Sequence, residues 1–174
     1  KWLLVNFKID RLPKKHIVDR YFETVTTLGV KNDNLPCDFF IQKENTIDLA
    51  NHFTLNNEKF IAIAIGAQFA TKRIPLNKLN EIIEGISCPI ILLGGETDVQ
   101  MAQNILEYFP TKKIYSACGK FNLQQSASIV QQASALLTND TGMMHIAACF
   151  EVPIVSVWGN TVPELGMFPY FPLN

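Results

Sequence analysis

From Phe60 onward, short runs of apolar and β-branched residues alternate with segments of helical period, and the runs open into glycine-bearing or small polar turns. The spacing predicts strands over 60–65, 89–93, 112–116, 135–138 and 153–157, and helices over 76–86, 97–109, 123–133 and 142–149. Strands and helices alternating at this interval imply parallel βαβ units joined by right-handed crossovers, and so an α/β fold with a Rossmann-like parallel sheet flanked by helices. Ile61-Ala62-Ile63-Ala64-Ile65 has no polar face, as a strand covered on both sides requires. No internal repeat or low-complexity tract breaks the pattern.

The turn after the fourth run is the most informative stretch for function. Ala135-Leu136-Leu137-Thr138 passes through Asp140-Thr141-Gly142 into a helix of small residues around His145 and Ala147-Ala148. Gly142 allows close approach of a ligand to the backbone, and free N–H groups with the dipole at the helix start favour an anion. Asp140 or Thr141 is equally suited to a plain N-cap. Two further strand exits carry similar chemistry, one at Gly66-Ala67-Gln68 leading to Lys72-Arg73-Ile74-Pro75, the other at Gly94-Gly95-Glu96-Thr97-Asp98. Cations at one exit and carboxylates at the others predict one crevice outside the carboxyl ends of the strands.

In this order the pieces resemble the C-terminal half of glycosyltransferase family 9, which contains the ADP-heptose:lipopolysaccharide heptosyltransferases. The matching residues are Gly66-Ala67, Lys72-Arg73-Ile74-Pro75, Gly94-Gly95-Glu96 with Asp98, Gly119, Asp140-Thr141-Gly142 with His145 and Ala147-Ala148, and Pro153 to Thr161. The resemblance spans roughly residues 14–170 and implies the C-terminal domain of a two-domain, GT-B-type glycosyltransferase.

It also implies roles. Lys72 is expected to hold the donor diphosphate with Arg73 in support, and Thr141, Gly142 and neighbouring N–H groups to hold the same phosphates. Glu96 is expected to accept hydrogen bonds from ribose hydroxyls, although carboxylates at a helix start also suit the dipole. Gly66 and Gly95 admit the donor to the backbone. His145 either faces the donor or is a structural histidine. Asp140 is expected to fix its loop through backbone N–H groups or to reach sugar hydroxyls. The catalytic base in such enzymes is a carboxylate in the N-terminal domain, so none is assigned to this chain. The family uses no bound divalent metal, and no Asp-x-Asp pair occurs here.

Two departures from the family pattern bear on the sugar. Ile74 stands where an aromatic residue, usually Trp, precedes the proline, and Phe69, Phe121 or Trp158 is a candidate to fill that space. The loop from Gln68 to Thr71 lacks a hydroxyl pair found in some heptosyltransferases.

The region before Phe60 reads differently. Ile17, Tyr21, Val25 and Leu28 share one helical face over residues 16–28, with Gly29 as a stop, and polar Lys31 to Pro36 suits a linker followed by a short strand at 38–42. Lys1-Trp2-Leu3-Leu4-Val5 reads as a strand cut into, and aromatic residues at Phe168, Tyr170 and Phe171 as a sticky exposed face. The division expected is 1–57 as a remnant of an N-terminal domain with helix and linker, and 58–174 as the nucleotide-sugar-binding domain. On this reading the chain is a fragment truncated at both ends.

Composition agrees with these expectations. A net charge of −1 gives no case for nucleic acid, and no apolar run approaches the ~20 residues that cross a bilayer. Four scattered cysteines suit reduced core thiols. The reaction implied is inverting, metal-independent transfer of a sugar, heptose from ADP-heptose, to a lipopolysaccharide core or related cell-envelope glycan. The only ligand implied is the nucleotide-sugar donor, with a glycolipid acceptor at the inner membrane and a cytoplasmic location, peripheral at the inner face. An epimerase of similar architecture and a non-catalytic nucleotide-binding module stay open as alternatives.

Overall fold

Five short strands, β1 (Ile61–Ala64), β2 (Ile90–Leu93), β3 (Ile114–Ser116), β4 (Ala135–Asn139) and β5 (Ile154–Val157), form one parallel sheet in the order β3-β2-β1-β4-β5. The computed structural model describes residues 2–9, 15–55, 57–159 and 161–171. All five strands and the helices between them fall where the hydrophobic pattern puts them, and the expected Rossmann-like fold class is the one found.

Alternation along each strand decides which helices cover which face. Ala62 and Ala64 of β1 join Ile91, Leu93 and Leu136 in one core, together with Ile129 and Val130 of α6 (Leu123–Gln131) and Ala147 of α7 (Gly142–Cys149). Ile63 and Ile65 point to the other face with Ile90 and Leu92. Leu79 and Ile83 of α4 (Leu76–Glu84) and Ala102 and Ile105 of α5 (Val99–Tyr108) close it. Ala62 and Ala64 are small where α6 and α7 cover the sheet, and the larger isoleucines face the opposite pair.

The first face also takes up residues from upstream of the boundary drawn at 57/58. Asp48 Oδ1 accepts from the N–H groups of Ala50 and Asn51, which starts the helix α3 (Leu49–Phe53) that the sequence reading lacks. Ile47, Phe53 and Leu55 are buried in the same core as Ile91 and Leu136.

The N-terminal region needs two further corrections. The residues read as a cut strand form the helix α1 (Trp2–Phe7), and Lys1 lies outside the described residues. Residues 38–42 run without a strand partner: the Gln42 N–H donates to Gln124 Oε1 rather than to a ladder, and Phe39 anchors the segment edge-on against Phe150. The helix at 16–28 is present as α2 (Ile17–Val25) and a 3₁₀ turn over Thr26–Leu28, ended by Gly29 at φ 78°.

Phe168 and Phe171 are exposed, as expected, and Tyr170 is half-buried; Phe168 and Tyr170 also pack back on the N-terminal segment. The Ile17 N–H donates to Gly166 O at 2.8 Å, and the buried His16 ring contacts Phe168 O through Nε2 at 2.7 Å. Because His16 Nδ1 accepts from the Val18 N–H, Nε2 carries the proton and donates. Phe168 and Tyr170 pack against that ring at centroid distances of 4.6 and 4.8 Å.

Candidate functional site

The strand order reverses between β1 and β4, so the loops leaving these two neighbours diverge to opposite faces and open a crevice at the carboxyl end of the sheet. A cavity of about 830 Å³ lies there, bounded by the exits of β1, β2 and β4. Gly66, Lys72, Arg73, Gly95, Asp140, Thr141, Gly142 and His145 all line it. Glu96 does not: it is exposed on a 3₁₀ turn (Glu96–Asp98) whose backbone lies beside Gly119.

Lys72 ends a short 3₁₀ turn (Ala70–Lys72), and its Nζ donates to Asp140 Oδ2 at 2.6 Å. Thr161 Oγ1 donates to the same oxygen at 2.7 Å. Burial pushes the Asp140 carboxyl up, but the hydrogen bonds from Lys72 and Thr161 and the Lys72 charge outweigh it and hold the group below its ordinary value. Asp140 therefore fixes its loop through two side chains, not through the backbone N–H groups expected from sequence. The ammonium keeps further donor capacity for a ligand.

Arg73 is held next to it, with Nε donating to Ala67 O at 2.9 Å and Nη2 3.7 Å from Asp98 Oδ1. Asp98 is the carboxylate that turns inward. It is buried, its Oδ2 accepts from the Gly95 N–H at 2.9 Å, and among the described residues its Oδ1 has no hydrogen-bond partner. A Cβ at Gly66 would fall inside this carboxylate, which gives a steric reason for glycine at the exit of β1.

Thr141 caps α7 without a side-chain bond to the helix, its hydroxyl lying 3.3 Å from that of Thr138. Among the described residues, no atom outside its chain neighbours and its own helix backbone lies within 4 Å of where a Gly142 Cβ would stand. The first N–H groups of the helix have no intrahelical acceptors, so the helix start is an anion site in form. His145 sits early in α7, half-buried, and burial lowers its pKa against the opposing pull of Asp140. Burial thus favours the neutral ring, which offers a hydrogen bond rather than a charge.

The aromatic question raised by Ile74 resolves by packing. Ile74 is buried in the α4–α5 core, while Phe69 and Phe121 line the cavity. Trp158 turns back to donate from Nε1 to Ser156 Oγ.

Sequence reasoning missed Asn139. It is fully buried, and its side chain bonds to both ends of the loop that carries Lys72. The signal was available as a polar residue continuing an apolar strand, a placement that strands disfavour unless it has hydrogen-bonding work.

A model of glycosyltransferase family 9 (heptosyltransferase) matches residues 1–171. The chain belongs to glycosyltransferase family 9. It is 30% identical over 118 residues to lipooligosaccharide heptosyltransferase 2 of Haemophilus influenzae, covering 63% of this chain and 34% of that protein. With lipopolysaccharide heptosyltransferase 2 of Escherichia coli the identity is 28% over 122 residues, or 66% of this chain and 35% of the relative.

Among solved structures, a family 9 glycosyltransferase from Veillonella parvula superposes with a TM-score of 0.77 at 26% identity, over 92% of this chain and 49% of that one. The E. coli ADP-heptose lipopolysaccharide heptosyltransferase II gives 0.70 at 24% identity, over 91% and 51%, and shows the shared fold. This family 9 chain thus spans about a third of the length of the curated relatives and about half of the structural ones. Among the described residues no helix is long and apolar enough to cross a membrane.

Proposed function

We propose that this chain supplies the donor-binding half of an inverting heptosyltransferase, which takes heptose from ADP-heptose and passes it to a lipopolysaccharide core or related cell-envelope glycan. The observation that carries the reading is the convergence of Lys72, Arg73 and the open start of α7 on one cavity at the sheet's switch point. As the glycosidic bond breaks, negative charge grows on the departing diphosphate. Fixed cations and helix N–H groups lower the energy of that state most when they are already in place.

Lys72 binds the diphosphate on the face of its ammonium not taken by Asp140, and Arg73 adds charge beside it. The N–H groups of Thr141 and Gly142 take phosphate oxygens. Glu96, exposed between the cavity-lining residues Gly95 and Thr97, accepts the ribose hydroxyls, while the buried Asp98 accepts from the Gly95 N–H and lies beside Arg73. Neutral His145 hydrogen-bonds to the donor. The base that deprotonates the acceptor is a carboxylate of the companion domain, and no step requires a divalent metal. The acceptor is a glycolipid met at the inner face of the inner membrane by a cytoplasmic, peripheral enzyme. Residues 1–57 belong to the connection with the companion domain in this reading, although 47–55 pack into the donor half.

Calorimetric titration with ADP, UDP, GDP and CDP tests it. The expected result is preferential ADP binding that Lys72→Ala weakens severely. Equal binding of all four nucleotides, or ADP binding indifferent to Lys72→Ala, would overturn the assignment.

A further inference from the structure

The β1–β4 ladder stops at the pair Ala64 and Thr138. Beyond it β1 continues only toward β2, through Ile65 N–H to Leu93 O, so its other side loses its backbone partner where the crevice opens. The Asn139 side chain fills that place. Its Nδ2 lies 3.3 Å from Ala64 O, 3.4 Å from Ile65 O and 3.3 Å from Gly66 O, and its Oδ1 accepts from the Ile74 N–H at 3.0 Å. One fully buried amide thus ties both ends of the loop 66–74, on which Lys72 and Arg73 stand.

An amide is the side chain this geometry needs. The Gly66 end presents carbonyl oxygens and the Ile74 end presents an N–H, so a donor and an acceptor are required on one planar group. A carboxylate would face three carbonyls with no proton to offer and would bury a charge. An aliphatic residue would leave the Ile74 N–H unpaired. The next residue in the chain is Asp140, which holds the Lys72 ammonium, so the same backbone step fixes the loop and presents the counter-charge. Gly159, packed against the Thr71 carbonyl, closes on the loop from the β5 side.

We infer that Asn139 is a positioning residue for Lys72, setting the loop 66–74 so that the ammonium meets a diphosphate at the mouth of α7. This rests on the diphosphate reading given above. Asn139 acts through the lysine and touches no ligand itself.

The experiment is ADP calorimetry on the full chain in four forms: unaltered, Lys72→Ala, Asn139→Ala and the double variant. Thermal melts accompany each. ADP is the probe because its nucleoside part leaves residual affinity to measure when the phosphate contacts are lost. Asn139→Ala should weaken ADP about tenfold, the equivalent of one charge-assisted hydrogen bond. The double variant should bind no more weakly than Lys72→Ala alone, because the residue to be positioned is already gone.

Full affinity in Asn139→Ala, or additive losses in the double variant, would overturn the positioning role while leaving the diphosphate reading intact. Unchanged affinity in Lys72→Ala would overturn both. Ile105→Ala, in the core of α5, lowers stability in a core without touching the cavity and should keep ADP affinity; a tenfold loss there would show that Asn139→Ala reports only general loosening. Should Asn139→Ala fail to fold, Asn139→Leu, close in volume and without donor or acceptor, is read in the same way.

Discussion

Lys72 Nζ and Asp140 Oδ2 lie 2.6 Å apart although 68 residues separate them in the chain. Both belong to loops at the β1–β4 boundary, and only the parallel pairing of those strands brings the two loops to one place. The pair is partly sheltered, so it orders both loops while its ammonium still faces the cavity.

Asp140→Asn should therefore loosen the site and alter its acid response. Removing the charged acceptor costs about 1.5–3 kcal/mol, the range for hydrogen bonds to charged groups. The carboxyl is held below its ordinary value in the folded state, so its stabilisation is present in full above the ordinary carboxylate range and disappears as pH falls through the depressed value. Urea midpoints from pH 7 down to pH 3 should fall less steeply in Asp140→Asn than in the unaltered chain. An identical acid limb would rule out the pairing in solution.

His145 gives a second pH signature. Burial lowers its pKa, so the folded chain binds fewer protons than the unfolded chain in the interval below the ordinary histidine value. Its contribution to stability is complete above that value and diminishes as pH drops through the folded one. An NMR titration of the His145 ring should show a midpoint below about 6.5, and His145→Gln should flatten the stability profile between about pH 5 and 7. A midpoint above the ordinary value would mean that Asp140 dominates burial.

Gly66→Ala and Gly142→Ala are expected to separate stability from binding. At Gly66 the new methyl runs into the Asp98 carboxylate and should destabilise by about 1–3 kcal/mol. At Gly142 it meets open space, so the melting point should stay within the shift of about 0.5 kcal/mol. The same methyl stands at the cavity wall and should weaken ADP about tenfold. Thermal melts paired with calorimetry check both, and a stable Gly66→Ala chain would show that Asp98 moves freely.

Phe53→Ala tests where the donor domain begins. The ring is buried against Tyr115 and Phe121 in the core shared with Ile91 and Leu136, so its loss should cost about 3–5 kcal/mol in chemical denaturation. A change below about 1 kcal/mol would put the domain start after residue 57, where the sequence reading drew it.

Cysteine reactivity should follow burial. Cys118 is buried, and desolvation pushes its thiol to about 11, against the weaker opposing bond from Ser116. Cys37 is exposed. With iodoacetamide at pH 8, mass spectrometry should find Cys37 modified first and Cys118 protected until the chain unfolds.

Much of the framework was legible because it is written in local pattern. Continuous apolar runs at 61–65 and 90–93, helical spacing between them and glycine-bearing or small polar exits depend on residues a few positions apart. They are enough for the parallel sheet and the crevice, and they place Lys72, Asp140 and His145 at it. The same local reading failed at 2–5 and 38–42, where short apolar runs of either period look alike and the presence or absence of a neighbouring strand decides the matter.

The succession of strands, helices and glycine exits follows from local pattern, because backbone sterics and side-chain period act within a few residues. Long-range packing sets the rest: Lys72 pairs with Asp140, Asp98 turns inward while Glu96 faces solvent, and Asn139 holds the loop 66–74. Those choices depend on which loops the strand order β3-β2-β1-β4-β5 sets side by side, and on hydrogen bonds satisfied across sequence separations that no local pattern encodes.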